Sequence, residues 1–277
     1  MKIFKTKNEL YKWNKLKADK VIGFVPTMGA LHKGHLSLIK AAKKECEQVV
    51  VSIFVNKLQF DPNEDFEQYP RTIEQDIKKL QDEGTNVLFC PLQKEIYPNN
   101  PTLKINEINI SRKLEGSSRP NFFSGVLTVV LKLFNLVQPS IVYFGEKDVQ
   151  QLCVIKKMVA ELNMPIIVRS CPTVREKSGL AMSSRNQYLT VKERQEAAML
   201  YCALSKGAQL IKQNENIKTI KTKMIKILQN KNIIIDYLAV VELDSFEEIK
   251  HYNNQSLLIA GAIYYNKIRL IDNIIIR

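Results

Sequence analysis

The strongest constraint on the fold is a repeated alternation between short β-branched runs and stretches with helical spacing. Val21–Val25 reads as a buried strand, and Val49–Val55, Val87–Cys90, Ile141–Phe144 and Ile166–Val168 read the same way. Between the first two, His35–Glu47 sets Leu36, Leu38, Ile39 and Ala42 at helical spacing. Thr72–Glu83 closes on Gly84, a residue suited to the left-handed position after a helix. Further helices are expected over Gly125–Val137, stopped by Pro139, and over Val149–Leu162. Strands separated by helices imply βαβ units and a parallel sheet, and right-handed crossovers put helices on both faces. The expected fold is therefore α/β, a doubly wound parallel sheet.

The pattern changes after about residue 172. Two helical stretches, Val191–Gln213 and Ile217–Asn230, precede strand-like runs at Ile233–Glu242, Leu257–Tyr265 and Lys267–Ile271. Helices followed by adjacent strands suggest a smaller antiparallel α+β domain. The expected division is 1–172 and 173–277. At 277 residues the chain can bury a core without staples, and a 45% hydrophobic composition excludes a mostly disordered chain.

The net charge is +13, from 41 basic against 28 acidic residues. The bases are 32 Lys and only 9 Arg, and the lysines are scattered. Planar bidentate readout of bases favours Arg, so the balance argues against a nucleic-acid module and fits an enzyme acting on anionic substrates. Five cysteines, an odd number with no C-x-x-C pair, argue against a disulfide framework or a zinc site. No apolar run approaches the ~20 residues of a membrane span, and Met1–Trp13 lacks a signal-peptide core. A cytoplasmic protein with reduced thiols and no membrane partner is expected.

Three segments carry chemistry. The first predicted strand runs into Pro26-Thr-Met-Gly-Ala-Leu-His-Lys-Gly-His35, which holds two of the chain's three histidines. At a helix start, unpaired N–H groups and the positive dipole end attract anions, and imidazoles can donate to phosphate oxygens. Gly29 and Gly34 let backbone approach such a group. The competing reading is a plain helix start with two solvated histidines. The carboxyl end of a parallel strand favours the ligand reading. Gly145-Glu-Lys-Asp148 follows the fourth predicted strand, and its Lys147 can neutralise a triphosphate or simply sit in a loop of mixed charge. Met182-Ser-Ser-Arg185 offers two hydroxyls and a guanidinium, suited to phosphate or to a polar linker before Thr190.

Taken together, these segments resemble the nucleotidyltransferase superfamily, and most closely the pantoate–β-alanine ligase family. The resemblance rests on Val25–His35, Ser52-Ile-Phe-Val-Asn56 with Gln59-Phe60, Tyr69-Pro-Arg71, Phe144–Asp148 with Gln150-Gln151, and Gly179–Asn186 with Tyr188-Leu189. Beyond residue 190 it rests mainly on Arg269-Leu-Ile-Asp-Asn273. It implies a Rossmann-like domain over 1–172 that binds nucleotide and pantoate, and a C-terminal lid over 173–277. It also implies ATP as substrate with Mg²⁺, a pantoyl-adenylate intermediate, condensation with β-alanine, and a homodimer.

Site roles follow from the same resemblance. Met28, Gly29, Ala30, Leu31, His32, Lys33, Gly34 and His35 would line the ATP phosphates and ribose, with His35 the proton donor and His32 a phosphate contact. Lys147 would stabilise charge during adenylation. Gly145, Glu146, Asp148, Val174, Met182, Ser183, Ser184 and Arg185 would complete the nucleotide site. Gln59 and Gln151 would hold pantoate, with Asn56 facing the reacting centre. No protein ligand for Mg²⁺ is assigned. Without the resemblance, Gln59 and Gln151 read as surface amides. A relative acting on a phosphate-bearing substrate should want Arg or Lys in their place. Two residues depart from the family pattern: Lys57 stands where Pro is usual, and Phe122 where His is usual.

Overall fold

The computed structural model describes residues 1–17, 19–62 and 64–277. It divides into two compact units, Met1–Glu146 with Gln150–Pro172, and Lys147–Val149 with Thr173–Arg277. No helix among the described residues is long and apolar enough to cross a membrane.

The first unit is built on a six-stranded sheet, all parallel, in the order β1-β4-β3-β2-β5-β6. Its strands are β1 Lys2–Phe4, β2 Ile22–Thr27, β3 Gln48–Ile53, β4 Val87–Phe89, β5 Ile141–Gly145 and β6 Ile167–Cys171. The helices are α1 Lys7–Lys15, α2 Lys33–Glu45, α3 Ile73–Asp82, α4 Gln93–Ile96, α5 Glu115–Ser118, α6 Phe122–Val137 and α7 Val149–Glu161. Side chains alternate across the central strand, as a pleated ribbon requires. Val25 joins a buried cluster with Leu38 and Ile39 of α2 and Leu80 of α3. Phe24 meets Phe134 of α6 edge to face, with centroids 6.3 Å apart. Helices thus cover both faces, and the doubly wound parallel sheet expected from the sequence is present.

The sheet also has an element the sequence reading omitted. β1 is a three-residue edge strand with two exposed residues, too short to show a period. α1 did leave a trace: Thr6 and Glu9 form a capping box ahead of buried Leu10 and Trp13.

The second unit packs α8 Val191–Ala197, α9 Met199–Lys212 and α10 Ile217–Ile227 with an antiparallel sheet of β7 Ile233–Glu242, β8 Leu257–Tyr265 and β9 Ile268–Ile276. The single helix expected over 191–213 is two helices meeting at Ala198. α8 leaves Val191 exposed, while α9 buries Leu200, Ala203, Leu204, Leu210 and Ile211. The last strand runs five residues beyond the expected Ile271, and Ile274 and Ile276 join the core there.

Candidate active site

In the first unit the strand order reverses at β2, which pairs with β3 on one side and β5 on the other. Ligands of open α/β sheets bind at the carboxyl ends of strands at such a point. Thr27 ends β2, and its hydroxyl donates to the Ser52 carbonyl (2.7 Å) and accepts from Gly29 N–H (3.1 Å). The chain then takes two successive left-handed residues, Gly29 (φ 82°) and Ala30 (φ 49°). A Cβ at Gly29 would stand 3.0 Å from Ile53 Cγ2, so space and conformation both favour glycine.

A carboxylate from a distant helix holds this turn. Asp76 of α3 is fully buried and accepts from Ala30 N–H at 2.9 Å and Leu31 N–H at 2.8 Å. The Thr72 hydroxyl also donates to it (3.1 Å), and Lys79 Nζ donates to the Leu31 carbonyl (2.6 Å). Asp76 is not legible in the sequence. Nothing local marks it, because its partners lie 45 and 46 residues earlier in the chain.

His32 is the N-cap of α2, and it forms a capping box with His35. Gly34 N–H donates to His32 Nδ1 (3.1 Å), and His32 N–H donates to His35 Nδ1 (3.3 Å). An Nδ1 that accepts a hydrogen bond carries no proton, so each neutral ring holds its proton on Nε2. The two rings stand 4.1 Å apart, inclined by 34°, and both are half-buried. The box therefore sets both the tautomer and the spacing of the pair.

Met28, at the start of the turn, reaches the expected pantoate side. Gln59 Nε2 lies 3.1 Å from Met28 Sδ, and Gln59 Oε1 accepts from Asn56 Nδ2 at 3.0 Å. Asn56 is 1% exposed. Its second amide proton goes to the Gly125 carbonyl (3.0 Å), and its oxygen accepts from Tyr97 OH (3.1 Å) and Leu58 N–H (3.4 Å). Every hydrogen-bonding position of that amide is used by protein. Tyr97, a further residue the sequence reading missed, is buried, and burial holds its phenol well above the usual range. Gly125 of α6 makes this packing possible, since a Cβ there would strike the Leu58 carbonyl oxygen at 2.3 Å.

Phe122 has an observed place. Its ring lies 3.9 Å from the Arg119 guanidinium carbon, and Arg119 donates to the Gln59 carbonyl (3.1 Å) and to both carboxylate oxygens of Glu64. Lys57 Nζ stands 5.9 Å from the Phe66 ring centroid. Gln151 is half-buried in the first turn of α7. Gly145, the last residue of β5, pairs with Cys171.

The second unit gathers the remaining candidates. Val174–Met182 forms a hairpin-like loop, closed by Met182 N–H to the Val174 carbonyl (2.9 Å) and Glu176 N–H to the Leu180 carbonyl (2.8 Å). Ser183 Oγ caps the 3₁₀ turn that follows, accepting from Arg185 N–H (3.3 Å), and Ser184 is buried. Lys147 pairs with Asp148 at 3.2 Å, with its side chain 20% exposed. Lys147 is tied to β9 by its carbonyl, which accepts from Asn273 Nδ2 at 2.7 Å. The structure thus groups Met28–His35 with Asn56 and Gln59 in one unit, and Lys147 with the 173–185 loop in the other.

Known proteins place the chain in a family. A family model described as pantoate-beta-alanine ligase matches residues 2–275. A pantothenate synthetase of Thermosipho africanus is 47% identical, with both chains covered in full. One of Caldicellulosiruptor saccharolyticus is 48% identical over 94% of this chain and 93% of its own. Among solved structures, pantothenate synthetase from Thermus thermophilus superposes with a TM-score of 0.91 at 40% identity, covering 99% of each chain. Pantoate-beta-alanine ligase from Francisella tularensis, complexed with beta-gamma ATP and beta-alanine, matches with a TM-score of 0.81 at 39% identity, over 99% of this chain and 97% of that one.

Proposed function

The chain belongs to the pantoate-beta-alanine ligase family, and on that premise we propose how its residues divide the work. The reaction is the ATP-dependent condensation of pantoate with β-alanine to give pantothenate. The pantoate carboxylate attacks the α-phosphorus of ATP and expels pyrophosphate. The β-alanine amine then attacks the carbonyl of pantoyl adenylate, and AMP leaves. A free carboxylate is a poor acyl donor, so adenylation supplies the leaving group. The protein must hold two anions together in attacking geometry and offset their repulsion.

In this reading the turn from Met28 to His35 holds the ATP phosphates and ribose. The observation that carries it is the stacked histidine pair at the N-terminus of α2, with Nδ1 of each ring accepting a backbone N–H. Each Nε2–H then donates toward phosphate oxygen, His35 toward the departing charge and His32 toward its neighbour. Lys147 stabilises negative charge as the α-phosphorus is attacked. Gly145, Glu146, Asp148, Val174, Met182, Ser183, Ser184 and Arg185 complete the nucleotide contacts. Gln59 and Gln151 hold pantoate, whose hydroxyls and carboxylate match an amide that both donates and accepts. Asn56 acts through Gln59, whose Oε1 it orients. The proposed division is a substrate-binding domain over 1–172 and a smaller C-terminal domain over 173–277, with Lys147–Val149 grouping with the latter.

Mg²⁺ is proposed as the partner of the triphosphate. Mg²⁺ commonly keeps several waters and binds through substrate phosphates, so its ligands in this proposal are phosphate oxygens and water. When bound, it neutralises phosphate charge. A homodimer in the cytoplasm completes the proposal, and the five unbridged cysteines suit that compartment. The test is pyrophosphate release from ATP, magnesium and pantoate before any amine is added. Folded protein that releases none would overturn the two-step reading.

A further inference from the structure

Resting on the adenylation reading above, we infer that Asn273 of β9 is a positioning residue for Lys147, and that with Asp272 it sets Lys147 in register with the 173–182 loop. Lys147 follows β5 in the chain, yet Lys147–Val149 groups with the C-terminal unit. The bond that ties it there runs from Asn273 Nδ2 to the Lys147 carbonyl, 2.7 Å long across 126 residues of sequence.

The neighbouring residue does a parallel task. Asp272 takes a two-pronged ion pair from Arg175, at 2.6 and 3.0 Å, and Arg175 also donates to the Gly179 carbonyl at 3.1 Å. The Arg175 guanidinium carbon lies 3.7 Å from the Tyr201 ring centroid, which fixes its plane. Arg175 Nη2 reaches the Asn273 carbonyl at 3.4 Å, and Asp272 Oδ1 accepts from Asn273 N–H at 2.8 Å. Successive residues of a strand point to opposite faces. One step of β9 therefore grips two catalytic segments, with Asp272 holding the loop that leads to Ser183 and Asn273 holding Lys147.

The location suits that task. Asp272 and Asn273 are 5% and 6% exposed, in a strand otherwise rich in Ile and Leu. Burying such groups is unfavourable unless their bonds are made. Both sit opposite β8, paired with Gly261 and Ala260, so the bracket rests on a hydrogen-bonded sheet. Fixing the carbonyl of residue 147 fixes the peptide from which the flexible lysine stem departs. A misplacement of about 1 Å at a reacting centre costs on the order of 100-fold in rate.

The experiment is a double-mutant cycle on pyrophosphate release from ATP, magnesium and pantoate. Asn273→Ala removes the donor, and the isosteric Asn273→Asp sets an oxygen against the Lys147 carbonyl. Each should lower kcat by roughly 10- to 100-fold, with KM for ATP and pantoate within about threefold, the pattern of a group placed for the transition state. In a Lys147→Ala background the same changes should have no further effect, because the path runs through Lys147. Losses that multiply in the double variant, or that appear in KM alone, would overturn the inference. So would loss of near-ultraviolet circular dichroism in both variants, which would make Asn273 a residue of stability. A wild-type protein that releases no pyrophosphate would instead defeat the adenylation reading beneath it.

Discussion

Replacing Asp76 by Asn tests whether the turn that leads from β2 into α2 is held from outside. The substitution keeps the shape of the side chain. Its oxygen can still accept one of the two backbone N–H groups at 2.9 and 2.8 Å, but its amide nitrogen then faces the other, donor against donor. One charge-assisted hydrogen bond, worth about 1.5–3 kcal/mol, is lost, and one buried N–H is left without an acceptor at about 1–3 kcal/mol. The Thr72 hydroxyl keeps a partner either way, still donating where the amide oxygen faces it and rotating to accept where the nitrogen does. Ala30 already sits in the left-handed region at φ 49°, a conformation costing about 1–2 kcal/mol for a residue with a Cβ. The expected stability loss is therefore on the order of 3 kcal/mol, a fall in Tm of about 6–12 °C. The turn should relax with it, and KM for ATP should rise roughly tenfold, or about 1.4 kcal/mol. Differential scanning calorimetry and initial rates at varied ATP measure the two effects. A variant within 1 kcal/mol of wild type, with ATP KM changed less than twofold, would show that Asp76 does not hold the turn.

Lys147→Ala should lower turnover at least ~100-fold, the scale for one preorganised charge-stabilising donor; a loss below threefold removes Lys147 from the mechanism. His35→Ala should abolish adenylation while far-ultraviolet circular dichroism is unchanged, although loss of the acceptor for His32 N–H should take about 1 kcal/mol from stability; retained activity refutes the proton-donor role. Phe122→Ala should loosen Arg119 above it and raise pantoate KM several-fold with ATP KM unchanged, read from initial rates; an unchanged pantoate KM separates Arg119 from the pantoate side. The Glu107 side chain is only 7% exposed, and burial alone would raise its pKa, but the Lys157 ammonium at 2.7 Å and backbone N–H groups of Ser111 and Asn109 outweigh burial and hold it below the usual range. Its stabilising effect is therefore present above ~4.3, the unfolded carboxylate pKa, and is lost as pH falls through the lower folded value. Glu107→Gln should cost about 1–2 kcal/mol at pH 7, with the gap to wild type closing in strong acid; a gap constant with pH in urea titrations contradicts this.

The sequence revealed what is local. β2 is a run of apolar residues buried on both faces, and the histidine turn follows it without a gap, so strand, turn and helix could be read together. α3 carried its own punctuation in Gly84, which adopts φ 67°. β1 escaped notice because a three-residue edge strand shows no period, and Ala198 gave no sign of dividing a helix. Candidate site residues followed the same rule. His32, Lys33 and His35 were visible as a motif, and Ser183–Arg185 as a polar loop. Asp76, Tyr97 and Arg175 were not, because each acts on a segment remote in the chain or through backbone atoms that leave no mark on residue type. Asp272 and Asn273 were visible as letters in a C-terminal motif, but their bonds to Arg175 and to the Lys147 carbonyl span about a hundred residues of chain and show only in the fold.

The position of β2 in the sheet also bears on how the chain is made. On one side it pairs with β3, which leaves the ribosome soon afterwards; on the other it waits for β5, since Gly23 pairs with Ile141 and Phe24 with Val142. A nascent chain therefore carries an unpaired apolar strand flank through most of the synthesis of the first unit, the kind of edge that invites association with other chains. Synthesis halted before residue 141 should yield fragments that aggregate or engage chaperones, whereas a chain halted after Cys171 has every strand it needs to seal that flank.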